Sequence, residues 1–199
     1  MGSAVLRRVV VAGLLACVLV TAAALPLSAQ TKTAGDAWDL LKKPGHIILL
    51  RHSNAPGNLP ETDTDFANCA IQRNLDDAGR AQAARIGDEF RKHRIGKVRL
   101  LSSQYCRALD TARLTKLGPV TQEPILNQVT YLELIAMRAA GDKGRALMKK
   151  IPASQLTMLV THVTNIQSIA DVKLDSGEMA IVHFDKSGAV VVDGKIMVP

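Results

Sequence analysis

The sequence is poor in aromatic residues, with one tryptophan, two tyrosines and three phenylalanines among its 199 residues. Proteins that bind single-stranded nucleic acid stack bases on aromatic rings, so we expect no nucleic-acid partner. The three cysteines also lack the close Cys/His spacing of a zinc site, which argues against a structural metal. What the chain does have is a hydrophobic content of 47%, enough for the core of one domain.

The longest apolar run lies at the N-terminus and has the layout of an export signal. Arg7 and Arg8 precede an apolar stretch over 9–25, and small residues at positions 28 and 29 suit cleavage before Gln30. We therefore predict a Sec-type signal peptide over 1–29, a mature domain over 30–199 and a periplasmic or secreted location. A retained membrane anchor is the alternative, although the stretch is slightly short for a membrane span of about 20 residues.

The predicted mature chain has two features that are compatible with export. Its net charge is +5, because the +7 of the whole chain includes the two arginines of the signal. This basic excess suits an anionic substrate or surface, but many exported proteins carry one without such a role. Cys69 and Cys106 also remain, and an oxidising compartment would allow them to pair. Two separate thiols are the alternative.

Three apolar runs predict strands at 47–50, 98–101 and 156–160. The first run, over 47–50, is continuously apolar, which is typical of a strand that is buried on both faces of a parallel sheet. Polar residues follow each run, namely Arg51 and His52, the segment from Ser102 to Arg107, and His162. Because open α/β sheets bind ligands at the carboxyl ends of their strands, we expect these side chains to converge.

Other segments predict helices between the strands and a hairpin near the C-terminus. Helical spacing or capping signals occur over 34–41, from Asp76 to Gly96, over 108–114, over 131–151 with an interruption at Gly141 to Gly144, and after Thr164 or Asn165. A short strand is predicted within 119–125, and the hairpin turns at 186–188. The long polar loop over 53–74 is expected to border a site. Together these elements predict an α/β fold, a three-layer α/β/α sandwich with a mostly parallel central sheet.

The converging residues include two imidazoles and two guanidiniums, without an obvious metal-binding carboxylate cluster. The arginine guanidinium binds phosphate oxygens through two parallel N–H groups. A histidine can attack phosphorus and carry a covalent intermediate. Helices predicted to begin near Arg107 and after His162 add partial positive charge. We therefore predict that Arg51, His52, Arg107 and His162 form a phosphate pocket.

The same residues carry a family resemblance. Leu-Leu-Arg51-His52-Ser53 resembles the Arg-His-Gly motif of the histidine phosphatase superfamily, the phosphoglycerate-mutase-like group, with serine in place of glycine. Further similar segments follow in the same order at 72–83, at 102–112 and at 160–162. The presumed mature chain is most similar to the small exported bacterial members of this superfamily.

This resemblance implies roles for individual residues. His52 would be the nucleophile that becomes phosphohistidine, while Arg51 and Arg107 would hold the phosphate. His162 would donate a hydrogen bond to the transferring phosphoryl group. Asn58 falls where many members have an asparagine that contacts the phosphate. The resemblance implies neither a metal nor another cofactor.

Two departures from the family pattern matter for the chemistry. Ser53 replaces a glycine, and it either alters the loop or places a hydroxyl near the phosphate as a substrate-binding group. The general acid is also unassigned, although a leaving alkoxide needs a proton donor within hydrogen-bond reach. Glu133 is the candidate nearest in sequence to the expected position, and Asp63 in the long loop is another.

The remaining histidines, His46, His93 and His183, do not end an apolar run beside a matching motif. Because a lone histidine is more often structural than catalytic, we interpret these three as structural residues. Glu178, which opens a predicted strand after Gly177, receives the same interpretation.

The sequence thus favours an exported, metal-independent phosphomonoesterase that acts through phosphohistidine on a small phosphorylated substrate. A phosphorylated sugar of the cell envelope is one such substrate. We expect no stable membrane span after signal cleavage. Two alternatives stay open: a phosphomutase, and a non-catalytic binder of anionic envelope components. The short segment after Arg107 favours hydrolysis, because it leaves little material for a lid that would keep water away from the phosphorylated intermediate.

Overall fold

A computed structural model describes residues 34–57, 65–130 and 133–198. The predicted signal peptide at 1–29, together with Asn58 and Asp63, lies outside the described residues. The helices are α1 (Ala34–Leu40), α2 (Asp77–Lys92), α3 (Cys106–Leu114), α4 (Leu134–Lys149) and α5 (Val163–Ala170). The strands are β1 (Ile47–Arg51), β2 (Arg99–Ser102), β3 (Val120–Gln122), β4 (Thr157–Thr161), β5 (Glu178–Phe184) and β6 (Val190–Met197). None of these helices is long and apolar enough to span a membrane.

The strands form one six-stranded sheet with the order β3-β2-β4-β1-β5-β6. Strands β3, β2, β4 and β1 run parallel to one another, whereas β5 pairs antiparallel with both β1 and β6. The three predicted apolar strands are therefore neighbours, with β4 between β1 and β2. Their central position explains why they are apolar on both faces.

Helices cover both faces of the sheet, which confirms the three-layer α/β/α architecture. On one face, Trp38 of α1 and Phe90 of α2 pack in a core cluster with Ile48 and Leu50 of β1. On the other face, Ile166 of α5 packs in a second cluster, which also contains residues of α4 and alternate residues of the same strands. Alternation along each strand therefore supplies one apolar set to each layer.

The predicted interruption of the fourth helix is wrong, because α4 is continuous through Gly141 and Gly144. A Cβ atom on Gly141 would overlap the carbonyl oxygen of Ser168 in α5, and one on Gly144 would overlap the side chain of Ile169. These glycines therefore allow two helices to pack closely. Sequence cannot distinguish this use of glycine from a helix break.

The start of α5 also differs from its prediction. The cap residue is His162, and Thr164 and Asn165 lie inside the helix as buried residues. The amide of Asn165 donates to the carbonyl of Asn127, and the Thr164 hydroxyl donates to Asn165 Oδ1. Both side chains therefore bind other partners instead of capping the helix. The predicted cap of α2 is confirmed, because Asp76 Oδ1 accepts from the Gly79 amide at 2.7 Å.

A disulfide joins Cys69 to Cys106, across 37 positions of sequence. Cys69 lies in the loop before α2, whereas Cys106 is the first residue of α3. Nearby, the amide of Cys106 donates to Oε1 of the buried Gln72 at 2.9 Å. The loop that carries residues 65–74 is thereby attached to the start of α3.

Candidate active site

The carboxyl ends of β1, β2 and β4 lie side by side, and each passes directly into a polar residue of the site. Backbone hydrogen bonds continue the pairing one residue beyond the strands. The His52 amide donates to the Thr161 carbonyl at 3.1 Å, and the Ser103 amide donates to the Val160 carbonyl at 3.0 Å. This register brings His52, Ser103 and His162 next to one another, as the pattern of strand ends predicts.

A cavity of about 380 Å³ opens at this edge of the sheet. Nine described residues line it: Arg51, His52, Arg73, Gln128, Val129, Thr130, His162, Val163 and Thr164. Two of them are arginines and two are histidines, and none of the nine is a carboxylate. The described lining therefore favours an anionic ligand.

His52 is buried, and its hydrogen bonds indicate a single tautomer. Its Nδ1 lies 2.8 Å from the Ser53 carbonyl oxygen, which can only accept, so Nδ1 carries the hydrogen. The lone pair is then on Nε2, which accepts from Arg107 Nε at 3.3 Å. A neutral imidazole held in this way presents the lone pair that a nucleophile needs.

His162 is held in the opposite tautomer. Its Nδ1 lies 3.2 Å from Arg107 Nη2, a group that can only donate, so Nδ1 carries the lone pair. Its Nε2 then donates to Ser103 Oγ at 2.9 Å, and that hydroxyl donates to Asn127 Oδ1 at 3.1 Å. The two imidazoles lie 5.3 Å apart between ring centroids. Both direct a lone pair at the same guanidinium.

Both histidines are neutral at physiological pH. Burial, followed by the positive charge of Arg107, lowers the pKa of His52 to about 3. The same two causes, in the same order, place the pKa of His162 well below its usual value, and the proximity of His52 lowers it further. The cations of the site thus preserve the nucleophilic form of His52.

Arg107 is fully buried and lies at the centre of the site. Besides the two imidazoles, its Nη2 donates to Gln128 Oε1 at 2.5 Å. Its guanidinium also stacks 4.4 Å from the centroid of the Tyr105 ring. These contacts set the orientation of a planar cation, which a flexible lysine ammonium could not reproduce.

Two further arginines line the cavity. Arg51 Nη1 donates to the Leu174 carbonyl at 2.9 Å, and Arg73 Nη1 lies 3.5 Å from the Gly57 carbonyl. The sequence patterns did not single out Arg73 or Gln128. Arg73 lies within the matching segment 72–83, so its motif was visible although its role was not. Gln128 lies several residues beyond the end of β3 and in no such motif, so no sequence signal identified it.

The loop after His52 is held by residues of α2 and α3. The amide of the fully buried Ser53 donates to Thr111 Oγ1 at 2.9 Å, and that hydroxyl donates to the Arg107 carbonyl at 2.7 Å. A Cβ atom on Gly79 would overlap the Asn54 carbonyl oxygen. Close packing of α2 against this loop therefore requires a glycine at position 79.

The structure does not bring every predicted site residue to the cavity. Ser53 is fully buried within the loop after His52 and is not among the lining residues, so a position of its hydroxyl beside a phosphate stays a prediction. Glu133 is exposed at the start of α4 and lines a separate surface depression with Leu134 and Ile135. Asn58 lies outside the described residues. A proton donor for the leaving group is thus unassigned among the described lining residues.

Comparison with known protein families gives a match over part of the chain. Residues 47–141 match the model of the histidine phosphatase superfamily (branch 1). No curated protein matches the chain in sequence.

Solved structures are similar at low sequence identity. The protein histidine phosphatase SixA, complexed with tungstate, is 14% identical, with coverage of 76% of this chain and 96% of that chain and a TM-score of 0.56. The mycobacterial glucosyl-3-phosphoglycerate phosphatase Rv2419c is 16% identical, with coverage of 75% and 97% and a TM-score of 0.52. The phosphoserine phosphatase from Entamoeba histolytica is 14% identical, with coverage of 77% and 97% and a TM-score of 0.58. This chain therefore has the fold of these phosphatases, and its segment that matches the histidine phosphatase superfamily contains Arg51, His52 and Arg107.

Proposed function

We propose that this protein is an exported phosphatase of the histidine phosphatase superfamily, which hydrolyses small phosphorylated substrates through a phosphohistidine at His52 and needs no metal. One observation carries the proposal. The buried, neutral imidazole of His52 is locked with its Nε2 lone pair toward Arg107, at the edge of a cavity that arginines line. That arrangement combines a nucleophile with cations for a phosphoryl group.

The first step is the attack of His52 Nε2 on phosphorus. The N–P bond forms as the bond from phosphorus to the leaving group breaks, and the leaving group departs with the electron pair. Ser53 supports this step, because its carbonyl accepts from Nδ1–H and stabilises the positive charge that develops on the ring. In the second step a water molecule attacks phosphorus, the N–P bond breaks, and phosphate leaves with His52 neutral again.

His162 can donate to the phosphoryl group only after it gains a proton. Its Nε2–H is committed to Ser103, and its Nδ1 has a lone pair while it faces Arg107. A bound phosphate dianion offsets the positive charge that keeps His162 neutral, so binding favours proton uptake at Nδ1. The protonated ring then donates to a phosphoryl oxygen. Calorimetric titration with inorganic phosphate in buffers of different ionisation enthalpy would detect this uptake.

The leaving group decides between two classes of substrate. An alkoxide needs a proton donor, and none of the nine described lining residues is a carboxylate. An imidazole leaving group, as in a protein phosphohistidine, departs more readily than an alkoxide. The similar structure named as a protein histidine phosphatase supports phosphohistidine as a second candidate substrate. Phosphate monoesters, including a phosphorylated envelope sugar, remain the first.

Turnover of p-nitrophenyl phosphate, phenyl phosphate and an alkyl phosphate tests the proposal. Wild-type protein should release phosphate, and His52→Ala should be inactive, whereas the matched control His93→Ala should retain activity because His93 stacks on Trp38 outside the site. A rate that falls steeply as the leaving group becomes more basic, with rapid cleavage of a phosphohistidine peptide, would favour the second candidate. Binding of phosphate by an inert wild type would instead identify a non-catalytic binder.

Mutase activity has its own test. Phosphate exchange that depends on a bisphosphorylated donor, without net release of phosphate, would replace the hydrolase proposal.

Export is supported by the pattern of residues 1–29 and by the disulfide, a bond that persists in oxidising compartments. Fractionation of bacteria that express the whole chain should place a shortened protein in the periplasm. Replacement of Arg7 and Arg8 by glutamate should retain the precursor in the cytoplasm. A full-length protein in the membrane fraction would indicate an anchor.

A further inference from the structure

A second cluster of chemically active side chains lies at the opposite end of the sheet from the phosphate pocket. His46 directly precedes β1, His183 lies on β5 and Asp193 lies on β6. The six-residue distance from His46 to His52 corresponds to about 20 Å of extended chain, so the cluster is remote from the candidate active site. One donor atom from each of the three residues lies within 4.8 Å of the others.

In the neutral ring of His46, the unprotonated nitrogen lies opposite a carboxylate oxygen of Asp193. Its Nδ1 lies 3.4 Å from the Lys43 carbonyl, an acceptor, so Nδ1 carries the hydrogen in the neutral ring. The lone pair is then on Nε2, which lies 3.4 Å from Asp193 Oδ2. Either a proton or a metal ion between these two atoms would stabilise the pair, and the same Asp193 oxygen also faces His183 Nδ1 at 2.5 Å. A backbone carbonyl that accepts from the other ring nitrogen is also typical of histidines that bind metals.

The distances suit a tetrahedral metal. Zinc binds imidazole nitrogen and carboxylate oxygen at about 2.0–2.1 Å, so two donors 3.4 Å apart subtend about 110° at the ion. His183 Nδ1 lies 2.5 Å from the same Asp193 oxygen and would have to separate from it by about 0.9 Å to reach a tetrahedral edge. The His183 side chain is 35% exposed on a hairpin strand, which gives it room for this movement.

We propose that His46, His183 and Asp193 form a site for a divalent transition metal, with Zn²⁺ as the best match to two imidazoles and one carboxylate. The remaining position of the tetrahedron would be filled by water. The ion would join the start of β1 to the β5–β6 hairpin. This metal site would replace the interpretation of His46 and His183 as purely structural residues. The metal proposal does not depend on the phosphatase proposal.

Metal titration of the chelator-treated protein tests the proposal. Isothermal titration with Zn²⁺ should give one site per chain, and Co²⁺ should produce the visible absorption bands of a tetrahedral complex. His183→Ala and Asp193→Asn should each weaken Zn²⁺ binding at least about tenfold and abolish the Co²⁺ bands. Zn²⁺ should also raise the melting temperature of the wild type but not that of these variants.

Two controls separate this site from general histidine binding. His93 forms a histidine–carboxylate pair with Glu89 at 3.5 Å, and among the described residues no third ligand joins this pair, so His93→Ala should bind Zn²⁺ as the wild type does. His52→Ala should do the same. The absence of a Zn²⁺ site in the wild type, equal affinity in His183→Ala, or loss of binding only in His52→Ala would overturn the proposal. His46→Gln replaces any variant that fails to fold.

Discussion

Replacement of Arg107 by lysine keeps the positive charge of the site but removes its planar geometry. Arg107 Nε donates to His52 Nε2 at 3.3 Å, and its Nη2 donates to His162 Nδ1 at 3.2 Å and to Gln128. A lysine ammonium on a flexible stem cannot reach both imidazoles in this orientation. We therefore expect Arg107→Lys to misplace the nucleophile and its partner histidine together.

The size of the effect follows from the contacts that are lost. A hydrogen bond to a charged group contributes about 1.5–3 kcal/mol, so the loss of the two bonds to imidazole costs about 3–6 kcal/mol. Since about 1.4 kcal/mol corresponds to a factor of ten in rate, kcat/KM should fall by about 10² to 10⁴. Arg107 is fully buried, so a loss of stability should accompany this change.

Hydrolysis of p-nitrophenyl phosphate provides the assay, with circular dichroism and the melting temperature as measures of folding. Arg113→Lys is the matched control, because Arg113 lies on the same helix, is 60% exposed and contacts Asp110 at 3.8 Å. The control should retain wild-type kcat/KM. If folded Arg107→Lys keeps kcat/KM within tenfold of the wild type, the fork of Arg107 does not position the two histidines, and our interpretation of the site is wrong.

Three further predictions follow from the same structure. Replacement of Cys69 and Cys106 by serine should lower the free energy of unfolding by about 4 kcal/mol, because the disulfide closes a loop of 37 residues; urea denaturation measures this. Gly79→Ala should lower kcat/KM about a hundredfold, because the new Cβ displaces the loop after His52, and steady-state kinetics measure this. Burial lowers the pKa of His52 to about 3, so between pH 6.5 and 3 the unfolded state binds a proton that the native state excludes. The free energy of unfolding therefore falls as the pH is lowered, and His52 accounts for about 2 kcal/mol of the loss between pH 7 and 5, measured as the difference between wild type and His52→Ala.

Each of these predictions has an outcome that contradicts it. Equal stability of the double serine variant and the wild type under oxidising conditions would mean that the bond does not form. Gly96→Ala is the control for Gly79→Ala, because nothing lies within 4 Å of its new Cβ, and similar kinetics in the two variants would exclude a specific effect on the loop. A His52→Ala variant with the same dependence of stability on pH as the wild type would show that His52 titrates normally.

The layered fold was predictable because its signals are local. The segments that form β1, β2 and β4 are rich in apolar residues, and the amphipathic spacing of α2 follows directly from its sequence. Gly141 and Gly144 indicate a helix break in the sequence, although α4 is continuous, because their role is not local. Their role depends on the close approach of α5, a contact between segments that are distant in the sequence.

The site residues likewise differ in whether local sequence signals predict their position. Arg51, His52, Arg107 and His162 follow strand ends or begin a helix, so the order of elements alone brings them together. Gln128 reaches Arg107 only because the segment after β3 folds back over the sheet edge, and no periodicity indicates such a path. The proximity of His46 to Asp193 was hidden for a similar reason, because it depends on the pairing of β1 with β5 and of β5 with β6.

The charges of the pocket suggest why two histidines, and not one, lie beside the buried guanidinium. Arg107 is the second-largest cause of the lowered pKa of both rings, after burial, so both imidazoles are neutral beside the guanidinium. A phosphate dianion reverses that balance, and the two rings respond differently because their hydrogen bonds differ. His52 already commits its hydrogen to the Ser53 carbonyl and offers a lone pair to phosphorus. His162 offers a lone pair to Arg107 and can accept a proton there, so in the proposed mechanism the charge of the substrate would convert it from an acceptor into a donor to the phosphoryl group.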